Sequence, residues 1–214
     1  MIKISPGFTL VEMAVVLLII GLLIGGLLVP LSVQIDQSRL NATEQSLQDI
    51  KEALIGFAIV DGRLPCPAVS GDDGVEDSGL CGDEGFLPWA TLALNIGKSD
   101  VWGAPFRYRV DTRYTTQPFP DDPPDTSSGL VVQDNTQPTP VQLVAPESNS
   151  TSRVIAIIFS YGKDGQANGQ NGGTIDQVYA QDVYIENQFD DRLIWLAKSI
   201  LINRLAVAGK WPPS

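Results

Sequence analysis

The chain has 214 residues, with 14 Lys and Arg against 25 Asp and Glu, a formal charge of −11, and no histidine. An acidic chain without a basic cluster is poorly suited to nucleic acid, whose affinity rests on Lys and Arg contacts to phosphate, so no nucleic-acid partner is expected. The missing histidine removes Ser-His-Asp and Cys-His nucleophile systems and every zinc motif that needs imidazole, and no nucleophile motif replaces them; an enzyme is not expected.

The length predicts an anchor plus one globular domain. Residues 13–31 form an uncharged run of nineteen residues, interrupted only by Gly21, Gly25, Gly26 and Pro30 among large aliphatic side chains. About 20 apolar residues cross a bilayer core as helix, so this run predicts a membrane span. Glu12 stands at its edge. A charge at membrane depth costs at least about 2.5–3.5 kcal/mol and marks a partner or a function. A secretory signal peptide would carry a shorter apolar segment and a small-residue cleavage site after it; Val29-Pro30-Leu31-Ser32 offers none. An uncleaved signal anchor is the plainer alternative.

Gly7-Phe8-Thr9-Leu10-Val11-Glu12 followed by an aliphatic helix resembles the type IV prepilins and the pseudopilins of type II secretion. The resemblance implies that residues 1–7, with Lys3 their only charge, are a leader removed by a prepilin peptidase between Gly7 and Phe8. It implies N-methylation of Phe8 and an assembly role for Glu12. The physics agrees: cleavage creates an amine on Phe8 that can pair with the Glu12 carboxylate of a neighbouring subunit, whereas an unpaired buried carboxylate tends to neutralise. Before assembly Glu12 can instead snorkel to the interface. Loss of Lys3 with the leader leaves 13 Lys and Arg against 25 Asp and Glu, or −12.

After Pro30 the pattern turns amphipathic. Val33, Leu40, Leu47, Ile50, Leu54 and Phe57 make one stripe, with Asp36, Arg39, Glu44, Asp49, Lys51 and Glu52 mostly opposite. The reading is residues 8–31 as membrane or filament-core helix and 32–60 as its amphipathic continuation, with Gly25-Gly26 and Pro30 weakening the join. Asp61-Gly62-Arg63-Leu64-Pro65 ends the helix, and residues 61–214 form a globular domain in the periplasm or outside the cell.

Cys66 and Cys81, the only cysteines, bracket an acidic, glycine-rich loop. In an exported chain they are expected to form a disulfide, worth roughly 3 kcal/mol for such a loop; two free buried thiols are the alternative. Asp72, Asp73, Glu76 and Asp77 could supply oxygen ligands to calcium, although a solvated acidic turn fits the same residues. Phe106, Tyr108 and Val110 alternate with Arg107 and Arg109, the period of a half-buried strand. Asp100-Val101-Trp102-Gly103-Ala104-Pro105-Phe106-Arg107-Tyr108 resembles a segment of the major pseudopilin of type II secretion. Residues 111–150, rich in Pro, Thr, Asp and Ser, read as a long surface insertion with short strands at 129–133 and 141–144. That subunit's pattern has no room for an insertion of this size.

Residues 153–161 are a nearly continuous apolar run, expected as a central strand. A glycine- and asparagine-rich loop and a second strand at 177–185 would complete a hairpin. The loop resembles the calcium-binding segment of major pseudopilins, with Asp164 and Asp176 matching its acidic positions and Asp182 a weaker third; a plain mobile hairpin is the alternative. Residues 187–208 are expected as a second helix, capped by Asn187 or Asp190 and stopped by Gly209.

The fold class expected is α+β and pilin-like: a long N-terminal helix, its first half membrane-spanning, packed on an antiparallel sheet, with a C-terminal helix. The function expected is that of a structural filament subunit, a pseudopilin-like component of type II secretion ahead of a minor pilin of a type IV pilus. A monomeric membrane-tethered periplasmic binding module is the remaining class. The partners implied are homologous subunits in a helical filament, the prepilin peptidase, the membrane and an inner-membrane assembly platform. The place implied is the bacterial inner membrane, single-pass with the domain in the periplasm, then the filament.

Overall fold

A computed structural model of the chain describes residues 7–117, 119, 129–144, 152–172, 177–185 and 188–211, with the backbone alone for 25–33. The chain divides into two compact units, Met1–Asn41 and Ala42–Ser214.

One helix, α1 (Leu10–Asp61, 52 residues), runs through both units. In the first unit its described side chains from Leu10 to Ile24 are exposed. The expected span reaches into residues 25–33, whose side chains lie outside the described residues. Among the described residues no helix is long and apolar enough to cross a membrane. In the second unit Leu47, Ile50, Leu54, Ile55 and Ala58 are buried on one face, at the three- and four-residue spacing of an amphipathic helix. The helix stops at Gly62, whose φ of +65° is a left-handed conformation that costs glycine nothing; its N–H donates to the Ala58 carbonyl at 3.0 Å.

The sheet has four strands in the order β1-β2-β4-β6, with every pairing antiparallel. They are β1 (Gly85–Phe86), β2 (Arg107–Val110), β4 (Val154–Ser160) and β6 (Arg192–Ala197). A second sheet pairs β3 (Val131–Gln133) with β5 (Val178–Ala180), in parallel. All seven β4 residues are buried, because both of its faces are covered. On one side Ile155 and Ile158 join Tyr108, Val110 and Leu196 against α1 and against α2 (Lys198–Val207), which contributes Leu201 and Leu205. On the other, Val154, Ile157 and Phe159 join Leu193 against Val132 and Tyr179 of the small sheet and against Val144. The fold is therefore α+β, with an N-terminal helix, an antiparallel sheet and a C-terminal helix.

Two expected elements and one side chain differ. The helix expected at 187–208 is a strand and then a helix: β6 takes Arg192–Ala197, and only Lys198–Val207 is helical. The open edge of β4 wants a partner, and Leu193 and Trp195 pack on one face of the sheet while Ile194 and Leu196 pack on the other. A strand covered on both faces shows no polar alternation, so its apolar run passes for helical spacing. Asp190 caps nothing; the N-cap of α2 is Ala197, without a side-chain bond. Asn187 lies outside the described residues. The strand expected at 177–185 is shorter and forms no hairpin with β4, since β5 belongs to the second sheet. Arg109, expected to face solvent, is 3% exposed because Tyr179 of that second sheet covers it; its guanidinium donates from Nε to the Gly82 carbonyl at 3.1 Å and from Nη1 to the Tyr179 hydroxyl at 3.4 Å.

The insertion at 111–150 is more than a surface loop. Tyr114 and Phe119 are buried in the helix-side core with ring centroids 6.2 Å apart, and residues 129–144 supply β3 together with buried Leu130 and Val144. Residues 118, 120–128 and 145–151 lie outside the described residues.

Candidate functional site

The N-terminal motif ends in the first turn of α1. Gly7, Phe8 and Thr9 precede the helix, and Phe8 is 84% exposed. Thr9 is the N-cap and Glu12 the third helical residue. The Thr9 N–H and hydroxyl both donate to Glu12 Oε2, at 2.9 and 2.8 Å, and the Glu12 N–H donates back to the Thr9 hydroxyl at 3.3 Å. This is a capping box, in which threonine and glutamate satisfy each other's backbone donors. The signal was in the sequence: Thr-x-x-Glu ahead of an apolar run marks a helix start. It gives Glu12 a partner within its own chain, besides the amine that cleavage before Phe8 would create.

Cys66 and Cys81 form the disulfide, with Cα atoms 4.8 Å apart. Inside the bridged loop the carboxylates do not converge. Glu76 makes a two-pronged pair with Arg63, at 2.8 and 2.5 Å, and accepts the Cys66 N–H at 3.0 Å, joining the end of α1 to the disulfide. The Arg63 guanidinium holds the Glu76 carboxyl below its usual range. Asp77 accepts the Gly79 N–H at 2.7 Å, Asp73 accepts the Val75 N–H at 3.3 Å, and Asp72 is exposed.

The two later segments singled out in the sequence meet at Ser160. Asp100 Oδ1 accepts the backbone N–H groups of Trp102 and Ala104, both at 2.9 Å, and so folds the loop that Gly103 turns with φ +88°. Its Oδ2 accepts the Ser160 hydroxyl at 2.5 Å, and Ser160 Oγ in turn accepts the Gly162 N–H at 3.0 Å. Gly162 has φ +66°, and a Cβ there would lie 2.3 Å from the Asp190 carbonyl oxygen. Beyond it Asp190 accepts the Asp164 N–H at 3.0 Å. Asp191 Oδ2 accepts the Asn168 N–H at 2.9 Å and the Asn171 side-chain amide at 2.8 Å. Asp164 itself accepts the Gln166 N–H at 2.7 Å. Asp191 is 2% exposed, and burial first, then the neighbouring Asp190 and Asp164, push its carboxyl up to about 7.

These carboxylates are occupied with the loop's own backbone. Among the described residues, no group of three or more Asp, Glu, Cys or His side chains could hold a metal ion. Asp176, the second calcium ligand expected here, lies outside the described residues. Asp182 turns instead to the Asn135 N–H, at 3.3 Å. The described residues therefore do not make up a calcium cage, and no chemistry is routed through the metal.

Sequence reasoning missed a buried polar cluster between the two sheets. The Glu84 side chain, 1% exposed, accepts from Arg107 Nη2 at 2.8 Å and from the Tyr179 hydroxyl at 3.0 Å. Burial and the Glu84 carboxylate push the Tyr161 hydroxyl up to about 12 and raise Tyr179 likewise. An arginine on a strand reads as solvent-facing until the covering layer is known.

No curated protein and no solved structure matches the chain. Residues 3–28 match the family model of the prokaryotic N-terminal methylation motif, so over that stretch the chain carries the signature of the type IV pilins and pseudopilins.

Proposed function

We propose that the chain is a structural subunit of a type IV pilin-like filament, inserted in the inner membrane, cleaved after Gly7 and then extracted into a helical assembly. The observation that carries this reading is Glu12, in the first turn of a helix beside the amine that cleavage would create, with no charged residue between it and Asp36. A lone carboxylate at the head of an apolar helix is costly in lipid and becomes tolerable when a neighbour's amine pairs with it. Within the class, a pseudopilin-like component of type II secretion is supported by the tryptophan-glycine loop and the glycine-aspartate loop. The insertion at 111–150 supports a minor pilin as the second reading. In either role the chain acts by assembly and not by catalysis.

The test is Glu12→Ala in a host that assembles the filament. The variant should reach the membrane and lose residues 1–7, yet be absent from sheared filaments. Incorporation at the wild-type level would overturn the assembly role of Glu12, and absence of the wild type itself from sheared filaments would overturn the proposal and leave a monomeric tethered module. Loss of protein export, as against loss of surface pili, on deletion of the gene separates the two filament systems.

A further inference from the structure

A cleft of about 360 Å³ opens between the Glu44–Lys51 stretch of α1 and the outer strand β6. One wall is Glu44, Leu47, Gln48 and Lys51, spaced as one face of a helix. The other is the consecutive run from Asp191 to Trp195. Successive strand residues point to opposite faces, so a cleft that touches them all follows the backbone edge of the strand and not a face of the sheet. β6 is the last strand in the order β1-β2-β4-β6, and among the described residues no strand pairs with its other side. Such an edge presents a row of backbone donors and acceptors ready for another chain.

The walls say what would fit. They carry both signs, Glu44 on the helix wall beside Lys51 and Asp191 on the strand wall beside Arg192, so an ion of either sign gains little. The free edge of β6 offers backbone N–H and C=O groups in alternation, and an extended main chain carries the matching partner for both kinds. A helix would not serve, because its backbone groups are already used within itself. Leu47, Leu193 and Trp195 offer an apolar surface for one or two side chains.

We propose that β6 and α1 form a strand-addition groove that takes an extended segment of another polypeptide as the next strand of the sheet. The segment is recognised through its main chain, with an uncharged side chain set against Leu47 and Trp195. The groove lies within the Ala42–Ser214 unit, and its binding is measured without filament assembly, so it stands or falls separately from the function proposed above.

The experiment uses the full chain in detergent micelles and a displayed library of short linear peptides of random sequence. The baits are the wild type, Gln48→Trp, which fills the cleft from an exposed helix position, and Gln45→Trp, an exposed substitution outside the cleft lining. Peptides enriched on the wild type should lose at least about tenfold in affinity to Gln48→Trp and keep it for Gln45→Trp. N-methylation of alternate peptide amides should abolish binding in one register and spare it in the other. The proposal is overturned if no peptide is enriched relative to Gln48→Trp, if both N-methylated series still bind, or if the bound peptide is helical by isotope-edited infrared. Self-association that the peptide does not displace and that Gln48→Trp abolishes identifies a face of a second copy as the occupant, and overturns it equally.

Discussion

Glu12 is held by its own chain, and the assembly proposed above would give the same carboxylate a second partner. In the isolated chain it closes the capping box with Thr9, so the acid and two N–H groups at the helix start are satisfied without a partner. In an assembly the same oxygens are the ones a neighbour's amine would claim. The cap therefore holds the carboxylate at the head of the helix. Thr9→Val removes the hydroxyl at nearly constant shape and should cost the first turn about 1 kcal/mol. Amide exchange of Glu12 and Met13 in micelles should then quicken about fivefold, with no change for residues 42–61. Unchanged exchange at Glu12 and Met13 would mean that the hydroxyl contributes nothing to the cap.

At the scale of elements, the segment Asp100–Pro105 is a fastener rather than a surface motif. Asp100 folds its own loop through two N–H groups and ties it to the end of β4 through the Ser160 hydroxyl. Asp100→Ala strands all three donors and should lower stability by about 3 kcal/mol, whereas Ser160→Ala removes one bond and should cost about 1. Urea denaturation checks this: the midpoint should fall with the slope unchanged, and equal losses for the two variants would show that the loop bonds contribute nothing. The segment was legible because its aspartate, tryptophan and glycine lie close together in the chain. Its partner was not, because sixty residues separate Ser160 from Asp100. The same divide runs through the fold. α1 after residue 42, the strand at 154–160, the disulfide and the glycine stops at Gly62 and Gly209 follow from local pattern. The strand β6, the parallel pairing of β3 with β5 and the burial of Arg109 depend on which layer covers which face, and composition along the chain does not carry that information.

In the Ala42–Ser214 unit, the carboxyls of Glu76 and Asp191 are shifted in opposite directions and pull the response to pH opposite ways. Glu76 is held below its usual range by the hydrogen bonds from Arg63, so its contribution is fully present above the unfolded value of 4.5 and is lost as pH falls below it. Asp191 is raised by burial to about 7 from 3.8, so its neutral form is the one the fold prefers. Below about pH 4 the folded and unfolded chains both hold that proton, and nothing is lost. As pH rises from there to about 7 the unfolded chain ionises first and stability drains away, by at most about 4 kcal/mol for a shift of roughly three units. Above about 7 the loss is complete and the curve is flat. Stability should therefore be highest near about pH 4, where the Glu76 contribution is nearly complete and the Asp191 loss is only beginning, and should decline from there toward pH 8 and also toward lower pH. Asp191→Asn keeps an oxygen acceptor for the Asn168 and Asn171 donors and cannot ionise, so it should remove the decline on the alkaline side alone. Glu76→Gln should blunt the acid side alone, at the expense of the pair with Arg63. Denaturation midpoints of the three proteins across this range decide the matter. A decline toward pH 8 that survives Asp191→Asn would place the titrating group elsewhere.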